Sequence, residues 1–415
     1  MGRKEIAIVL GGVTNHIILI NKLKERGFYT VLIDYLEDPP AKIAADEHIQ
    51  VSTFDLNAIE KIAVDRKVSL IINCCLEHLN KGICKICEKI GLPKPYSYET
   101  AMDISDKERM KTKMREGGIS TTPFICVSSS DELDGVDLNF PLYVKPATGS
   151  GSNAVNRAVD VETTKEAVQK SLTRYPNSKV IIEEEAMGDE YSVYCFPSDG
   201  SANVLLVVRR YTDNNSAKHV TKCVATLGPA LISQEAYKNV VTTADRIAEV
   251  FKLTNTPMFM QVMIYNNTVN VIEFAGRMAG GFSYRTIYLS TGFDLFEATI
   301  NSFLQISNHV EYHKPDQYIT VSTVYASPCI FNEVLGYKEL FKDGTISDVI
   351  LPRFSGTKIN DSSANGSRVA FLIHRDKTVK GVLDKIKKTF ESIDVIDTDG
   401  CSRMKRDIYL TKKKL

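Results

Sequence analysis

The 415-residue sequence carries no excess of either charge, with 51 Lys plus Arg against 51 Asp plus Glu. Nothing global therefore attracts nucleic acid or an anionic membrane. No apolar run approaches the ~18–20 residues of a membrane helix. The opening Met1–Leu10 is too short for a signal peptide, and Ile6 stands where a myristoylation signal needs Ser or Thr. These absences point to a cytoplasmic chain that engages neither nucleic acid nor membrane.

Several motifs are missing too. No Walker A loop occurs. The turn after the first strand-like run is Gly11-Gly12-Val13-Thr14-Asn15-His16, without the G-x-G-x-x-G of a dinucleotide site. Asp34 does end the second strand-like run, where a ribose-binding acid sits in such sites. Nine cysteines, an odd number in a long chain, do not form a disulfide framework. Cys74, Cys75, Cys84 and Cys87 cluster with His78, but no second Cys-x-x-Cys pair completes a zinc set. Cys84 and Cys87, at i, i+3 in an expected helix over Lys81–Ile90, equally suit one buried face.

What is present alternates strand and helix at the start. Residues 5–10 read as a buried strand and Val13–Arg26 as a helix closed by Gly27. Tyr29–Asp34, His48–Val51 and Ser69–Asn73 read as further strands, and Leu56–Arg66 as a helix. This pattern predicts a doubly wound parallel sheet over about the first 95 residues. Leu92-Pro93-Lys94-Pro95 marks a boundary. Tyr98–Glu116 reads as one helix. Phe259–Tyr265 and Val269–Phe274 read as a hairpin around Asn266-Asn267-Thr268. The final stretch holds strand-like runs and an amphipathic helix, Val379–Ser392, with Ser362–Ser367 as a loop.

The chain is organised around residues 140–153. Leu142-Tyr143-Val144 ends at Lys145, and Pro146 stops a central strand from continuing. Gly149, Ser150, Gly151 and Ser152 follow, a loop able to turn backbone N–H groups toward an anion. A lysine beside such a loop suits nucleotide phosphates; a surface hairpin is the plainer reading.

Four features then line up: Asp106-Lys107; Lys145 with its loop; Val180–Val193, containing Glu183-Glu184-Glu185-Ala186 and Glu190; and Gln261 with Glu273, followed by Arg277 and Gly280-Gly281. The ordered set resembles the ATP-grasp superfamily of carboxylate–amine and carboxylate–thiol ligases over roughly residues 1–305. The spacing Glu-x-x-x-Arg-x-x-Gly-Gly is most similar to the branch of L-amino-acid ligases and carbamoyl-phosphate-synthase-like proteins.

The resemblance implies a Rossmann-like parallel-sheet module over 1–97 and an ATP-grasp fold over 98–305, two α+β subdomains sandwiching ATP with the lid at about 120–185. A small α+β domain over 306–415 completes the chain. It implies ATP phosphates at Lys107, Lys145 and the loop Gly149, Ser150, Gly151, Ser152. Adenine would meet Glu183, Glu184 and the Ala186 backbone, and the ribose Glu190. Magnesium or manganese would sit on Gln261 and Glu273, and Arg277 would face the transferring phosphoryl group. Arg209, Arg210 and His219 match the region of substrate contacts, with Gly280 and Gly281.

Two positions depart from the pattern. Many members carry Lys where this chain has Glu184, and Asn where it has Ala275, which removes one oxygen ligand. The implied activity is an ADP-forming ligation of a carboxylate, with an amino acid as candidate, to an amine through an acyl phosphate. Bicarbonate activation and a degenerate ATP-binding regulatory module are the alternatives. Oligomeric state stays open, although a homodimer through the N-terminal module is common in that family.

Overall fold

The computed structural model describes residues 4–133, 137–148, 155–213, 222–361 and 363–411. The loop residues Gly149, Ser150, Gly151 and Ser152, and His219, lie outside them.

The chain opens with β1 (Ile6–Leu10), α1 (Asn15–Glu25), β2 (Tyr29–Asp34), β3 (Glu47–Gln50), α2 (Leu56–Arg66), β4 (Leu70–Ile72) and α3 (Glu77–Ile90). Its sheet is parallel, in the order β3-β2-β1-β4. β1 is central and almost wholly buried, which is why its sequence runs Ile-Ala-Ile-Val-Leu without alternation. Helix α3 starts four residues earlier than the sequence suggests and ends at Gly91, whose positive φ closes it. Cys84 and Cys87 lie on its buried face, and all nine cysteines are free. Among the described residues no group of three or more His, Cys, Asp or Glu forms a metal cluster.

The single helix expected over Tyr98–Glu116 is two: α4 (Tyr98–Ser105) and α5 (Lys107–Glu116). Asp106 between them is extended, and its carboxylate accepts from the N–H groups of Glu108 and Arg109. The N-cap bond competes with helix continuation, and helical periodicity does not reveal it.

A four-stranded sheet follows, built from β5 (Phe124–Val127), β6 (Leu142–Pro146), β7 (Asn156–Ala158) and β8 (Val180–Glu184), with α6 (Val161–Arg174) packed on it. Its order is β5-β8-β6-β7, so β6 is internal and ends at Pro146, where the lost N–H does least harm.

β9 (Asp189–Cys195), β10 (Val204–Asp213), β11 (Lys222–Gly228), α7 (Gln234–Val250), β12 (Met258–Tyr265) and β13 (Thr268–Ala275) come next. Asn266 and Asn267 take positive φ between β12 and β13, the two-residue turn that the asparagines favour. α8 (Ser283–Thr291) and α9 (Leu295–Leu304) then pack on the N-terminal module: Ile287, Phe293, Leu295 and Phe296 share one core with β1, β2 and β4. This shared core brings the stretch after β13 against the C-terminal ends of the N-terminal strands.

The last stretch contains β14 (Tyr318–Tyr325), β15 (Cys329–Leu335), α10 (Tyr337–Lys342), β16 (Asp348–Ile350), β17 (Lys358–Ile359), α11 (Ala364–Ser367), β18 (Arg368–Asp376), α12 (Val379–Ser392) and β19 (Asp394–Asp397). The short α11 replaces part of the loop expected at Ser362–Ser367. β14, β18 and β16 join the central strands in one antiparallel sheet, ordered β13-β12-β9-β10-β11-β14-β18-β16. β15, β17 and β19 make a separate small sheet. No described helix is long and apolar enough to cross a membrane.

Candidate active site

Lys145, at the end of β6, points into the protein and is only 6% exposed. Its ammonium pairs with Glu183 on β8, which is 4% exposed. The second oxygen of Glu183 pairs with Lys111 Nζ at 2.8 Å and accepts from Thr122 Oγ1 at 3.1 Å. Burial alone would raise the Glu183 carboxyl; Lys145 and Lys111 hold it instead at about 2. The carboxylate matched to adenine is thus also the shared counter-ion of two buried lysines. Lys111 is one that the sequence reading missed. Its signal is the i, i+4 step from Lys107, which carries α5 by one turn toward the same region.

Lys107, at the start of α5, donates its backbone N–H to the Ala147 carbonyl at 3.1 Å. This tie sets the helix N-terminus beside the chain that leaves Lys145.

Glu184 and Glu185 diverge. Glu184 accepts from the backbone and side chain of Asn139, both at 2.9 Å. Glu185 takes Arg157 and the Tyr143 hydroxyl. Ala186 and Gly188 lie in the link between β8 and β9. Gly188 has φ +105°, and a Cβ there would meet the Ile264 carbonyl oxygen at 2.2 Å, so this link needs glycine.

Across the large sheet, four side chains form a row. Gln261 on β12 faces Glu273 on β13 in register. The Gln261 amide NH2 donates to Glu190 on β9. Glu190 also pairs with Arg210 Nε on β10 at 2.7 Å. Arg209, with its side chain on Asp189, belongs to a different pair. Among the described residues no hydrogen bond or ion pair engages the Glu273 carboxylate. With Gln261 spending its NH2 on Glu190, its carbonyl oxygen is left as an acceptor on the residue in register with Glu273. Two oxygen donors side by side fit a hard divalent cation that leans on phosphate oxygens for the rest of its shell. Ala275, two residues on, is buried and offers no oxygen.

Arg277 follows β13. Its Nη2 donates to Glu77, in the first turn of α3, at 2.8 Å, and its Nη1 donates to the Met278 carbonyl at 2.9 Å. Glu77 is the second residue missed. Burial raises its carboxyl, Arg277 opposes that shift, Glu273 adds to it, and Lys107 lowers it. Arg277, Glu273 and Lys107 therefore converge on one carboxylate of the N-terminal module. Asn15, at the start of α1, donates to the Gly281 carbonyl at 2.9 Å and fixes the glycine turn to the same module. Asp34, by contrast, caps its own loop through Gly12 and Leu36.

Lys111 lies within electrostatic reach of both Lys145 and Glu273, which brings the buried lysines and the acidic–amide row into one region. Residues 138–285 match the family model of the ATP-grasp domain. The chain therefore carries an ATP-grasp domain over these residues and is similar to ligases of that superfamily.

Within that superfamily its likeness is to the L-amino-acid ligase and carbamoyl-phosphate-synthase branch. It is 24% identical over 324 residues to the L-arginine-specific L-amino acid ligase of Bacillus subtilis, covering 72% of this chain and 74% of that protein. It is 22% identical over 240 residues to the N-terminal section of the carbamoyl phosphate synthase large chain of Methanopyrus kandleri, covering 55% of this chain and 42% of that one. The L-amino acid ligase structure from Bacillus licheniformis superposes with a TM-score of 0.80 at 16% identity, over 96% of this chain and 100% of the other.

Proposed function

We propose that this chain is an ADP-forming carboxylate–amine ligase that works through an acyl phosphate and takes an amino acid as one substrate. The observation that carries this reading is Glu273, unpaired among the described residues and in register with Gln261, together with Arg277 tethered to Glu77 and Lys145 paired with Glu183.

The donor carboxylate oxygen attacks the γ-phosphorus of ATP. The bond from that phosphorus to the β–γ bridging oxygen breaks, and ADP leaves. The amine nitrogen then attacks the acyl carbon, the carbon–oxygen bond to phosphate breaks, and phosphate departs while the nitrogen loses a proton. Lys107 and Lys145 offset the charge crowded on the triphosphate. Arg277, a planar and permanently charged fork, meets the transferring phosphoryl oxygens. Glu273 and Gln261 would hold magnesium or manganese, which neutralises phosphate charge when bound. Glu183 pairs with both buried lysines and aims them, and Glu190 would accept from the ribose hydroxyls. The sheet of β5–β8 closes over the site and keeps water from the acyl phosphate.

Bicarbonate as the activated carboxylate is the second reading, favoured by the likeness to the carbamoyl phosphate synthase section. The likeness to a named ligase and to a named synthase disfavours a non-catalytic module. The free cysteines fit a reducing cytoplasm.

The test is ADP release from MgATP against pools of amino acids, small carboxylates and bicarbonate, with hydroxylamine to trap acyl phosphate. A pool that raises ADP release and yields a hydroxamate supports the ligase. ADP release with bicarbonate alone shifts the assignment to the second reading. ATP binding with no ADP from any pool would overturn both.

A further inference from the structure

Arg368 opens β18, in the half of the large sheet that the last stretch of the chain contributes. Its guanidinium lies over the Phe371 ring, 4.9 Å from the centroid. Phe371 in turn packs edge-on against Phe282, with centroids 4.7 Å apart. Phe282 directly follows Gly280-Gly281, the turn that Asn15 holds to the N-terminal module. That chain of contacts joins Arg368 to the turn after Arg277.

A second route leads to the same place. The Tyr325 phenol contacts Arg368 and donates to the Cys223 carbonyl at 3.0 Å. Cys223 lies within electrostatic reach of both Arg368 and Arg210. Arg210 is the cationic end of the Glu273–Gln261–Glu190 row. Arg368 is thus linked through Tyr325 and Cys223 to the Arg210 end of that row, and through Phe371 and Phe282 to the glycine turn.

Nε of Arg368 is buried and without a hydrogen-bond partner. Among the described residues no carboxylate pairs with Arg368 or with its neighbour Arg353. Arg353 donates Nε to the Arg368 carbonyl at 3.1 Å and Nη2 to the Asn365 carbonyl. Burial, and then the Arg368 charge, pull the Arg353 guanidinium below the usual arginine range, so the two cations crowd one another. A partly buried, stacked guanidinium with an unsatisfied N–H and a cationic neighbour is costly unless an anion completes it.

We propose that Arg368 binds a carboxylate that does not react, carried by one of the ligase's substrates. The planar fork matches a carboxylate in two-point contact, and Phe371 fixes its plane. The reacting group is then presented toward Glu273 and Arg277. The inference rests on the ligase reading for the word substrate. Two sources share this chemistry: the free carboxylate of an amino-acid acceptor and the second carboxylate of a dicarboxylic donor.

The test compares thermal shifts of the full chain with MgADP present. One arm adds the amino acids as free acids against the same amino acids as C-terminal amides. The other adds short dicarboxylates against their monoamides. The acids of one arm are expected to raise the melting temperature of the wild type by several degrees while the matching amides do not. Arg368→Gln loses that shift and Arg368→Lys keeps part of it. All three forms retain the same shift from nucleotide. Equal shifts from acids and amides, no shift from either, or a full acid shift in Arg368→Gln would overturn the proposal. The nucleotide shift is read separately: a wild type that shows none loses the ATP-dependent reading, while the acid–amide contrast still decides Arg368.

Discussion

Glu77 and Arg277 meet at 2.8 Å across 200 residues of sequence. One belongs to the N-terminal module and the other follows the strand that carries Glu273. A guanidinium on a short loop has many rotamers, and this contact selects one of them. Arg277 is therefore positioned by a part of the chain that contributes no other matched site residue.

Glu77→Gln should leave nucleotide binding intact and lower kcat by about 10- to 100-fold, the scale of an ångström-level misplacement. Steady-state kinetics with the activating substrate would check it. A change in KM for ATP alone, with kcat preserved, would assign Glu77 to binding rather than to the aim of Arg277.

Lys145→Ala should reduce ADP formation by at least about 100-fold, as expected for a lost charge stabiliser. Glu183→Gln should also unfold more easily, since it leaves Lys111 and Lys145 buried together; breaking such a pair typically costs ~3–5 kcal/mol. Adding Lys111→Met to Glu183→Gln should recover part of that loss. A double variant no more stable than the single one would show that the two residues are not coupled.

Ala275→Asn places an oxygen donor two residues beyond Glu273. The expected outcome is a lower magnesium concentration for half-maximal ADP release. Ala275 is buried, so the larger side chain should cost about 1–3 kcal/mol, and melting temperature would be measured alongside. An unchanged magnesium dependence would mean that Glu273, Gln261 and phosphate oxygens suffice.

His16 and His374 are both buried, and burial lowers them to about 4 and about 3. Their folded values lie below the ordinary histidine value, so the unfolded chain binds more protons between. The stability they contribute is complete above about pH 6.5 and is lost as pH falls toward 4, at up to ~1.4 kcal/mol per pH unit for each ring. His16→Leu should flatten the slope of melting temperature over that window. An unchanged slope would place the acid lability elsewhere. Glu183 acts in a lower window, below its ordinary carboxyl value, where protonation removes the counter-ion of both lysines.

Much of the frame was legible because it rests on local patterns. The unbroken apolar run of β1 and the Asn266-Asn267 turn each follow from backbone chemistry that neighbours in sequence report. Gln261 and Glu273 came from the family resemblance instead: the turn alone would set Gln261 opposite Ile272, and an irregularity between Gln261 and Val262 moves it to Glu273. Glu77, Lys111 and Asn15 were not legible. Their partners lie 200, 72 and 266 residues away, and the one local hint is the i, i+4 step from Lys107 to Lys111, which by itself does not tell a buried helix lysine from a solvated one. The split at Asp106 was hidden because the helical apolar pattern continues across a capping carboxylate that interrupts the backbone. The joining of β14, β18 and β16 to the central strands was invisible, because a strand pattern does not name its partner.

That joining has an engineering consequence. β11 pairs with β14 from Ala225 with Ser322 to Gly228 with Ile319, so hydrogen bonds cross whatever boundary is drawn near residue 305. A chain cut there would leave the N–H and C=O groups along β11 open to any extended segment that met them. The shortened protein should fail first by sticking to copies of itself, and a fusion partner would be better attached beyond β19 than spliced between the two halves.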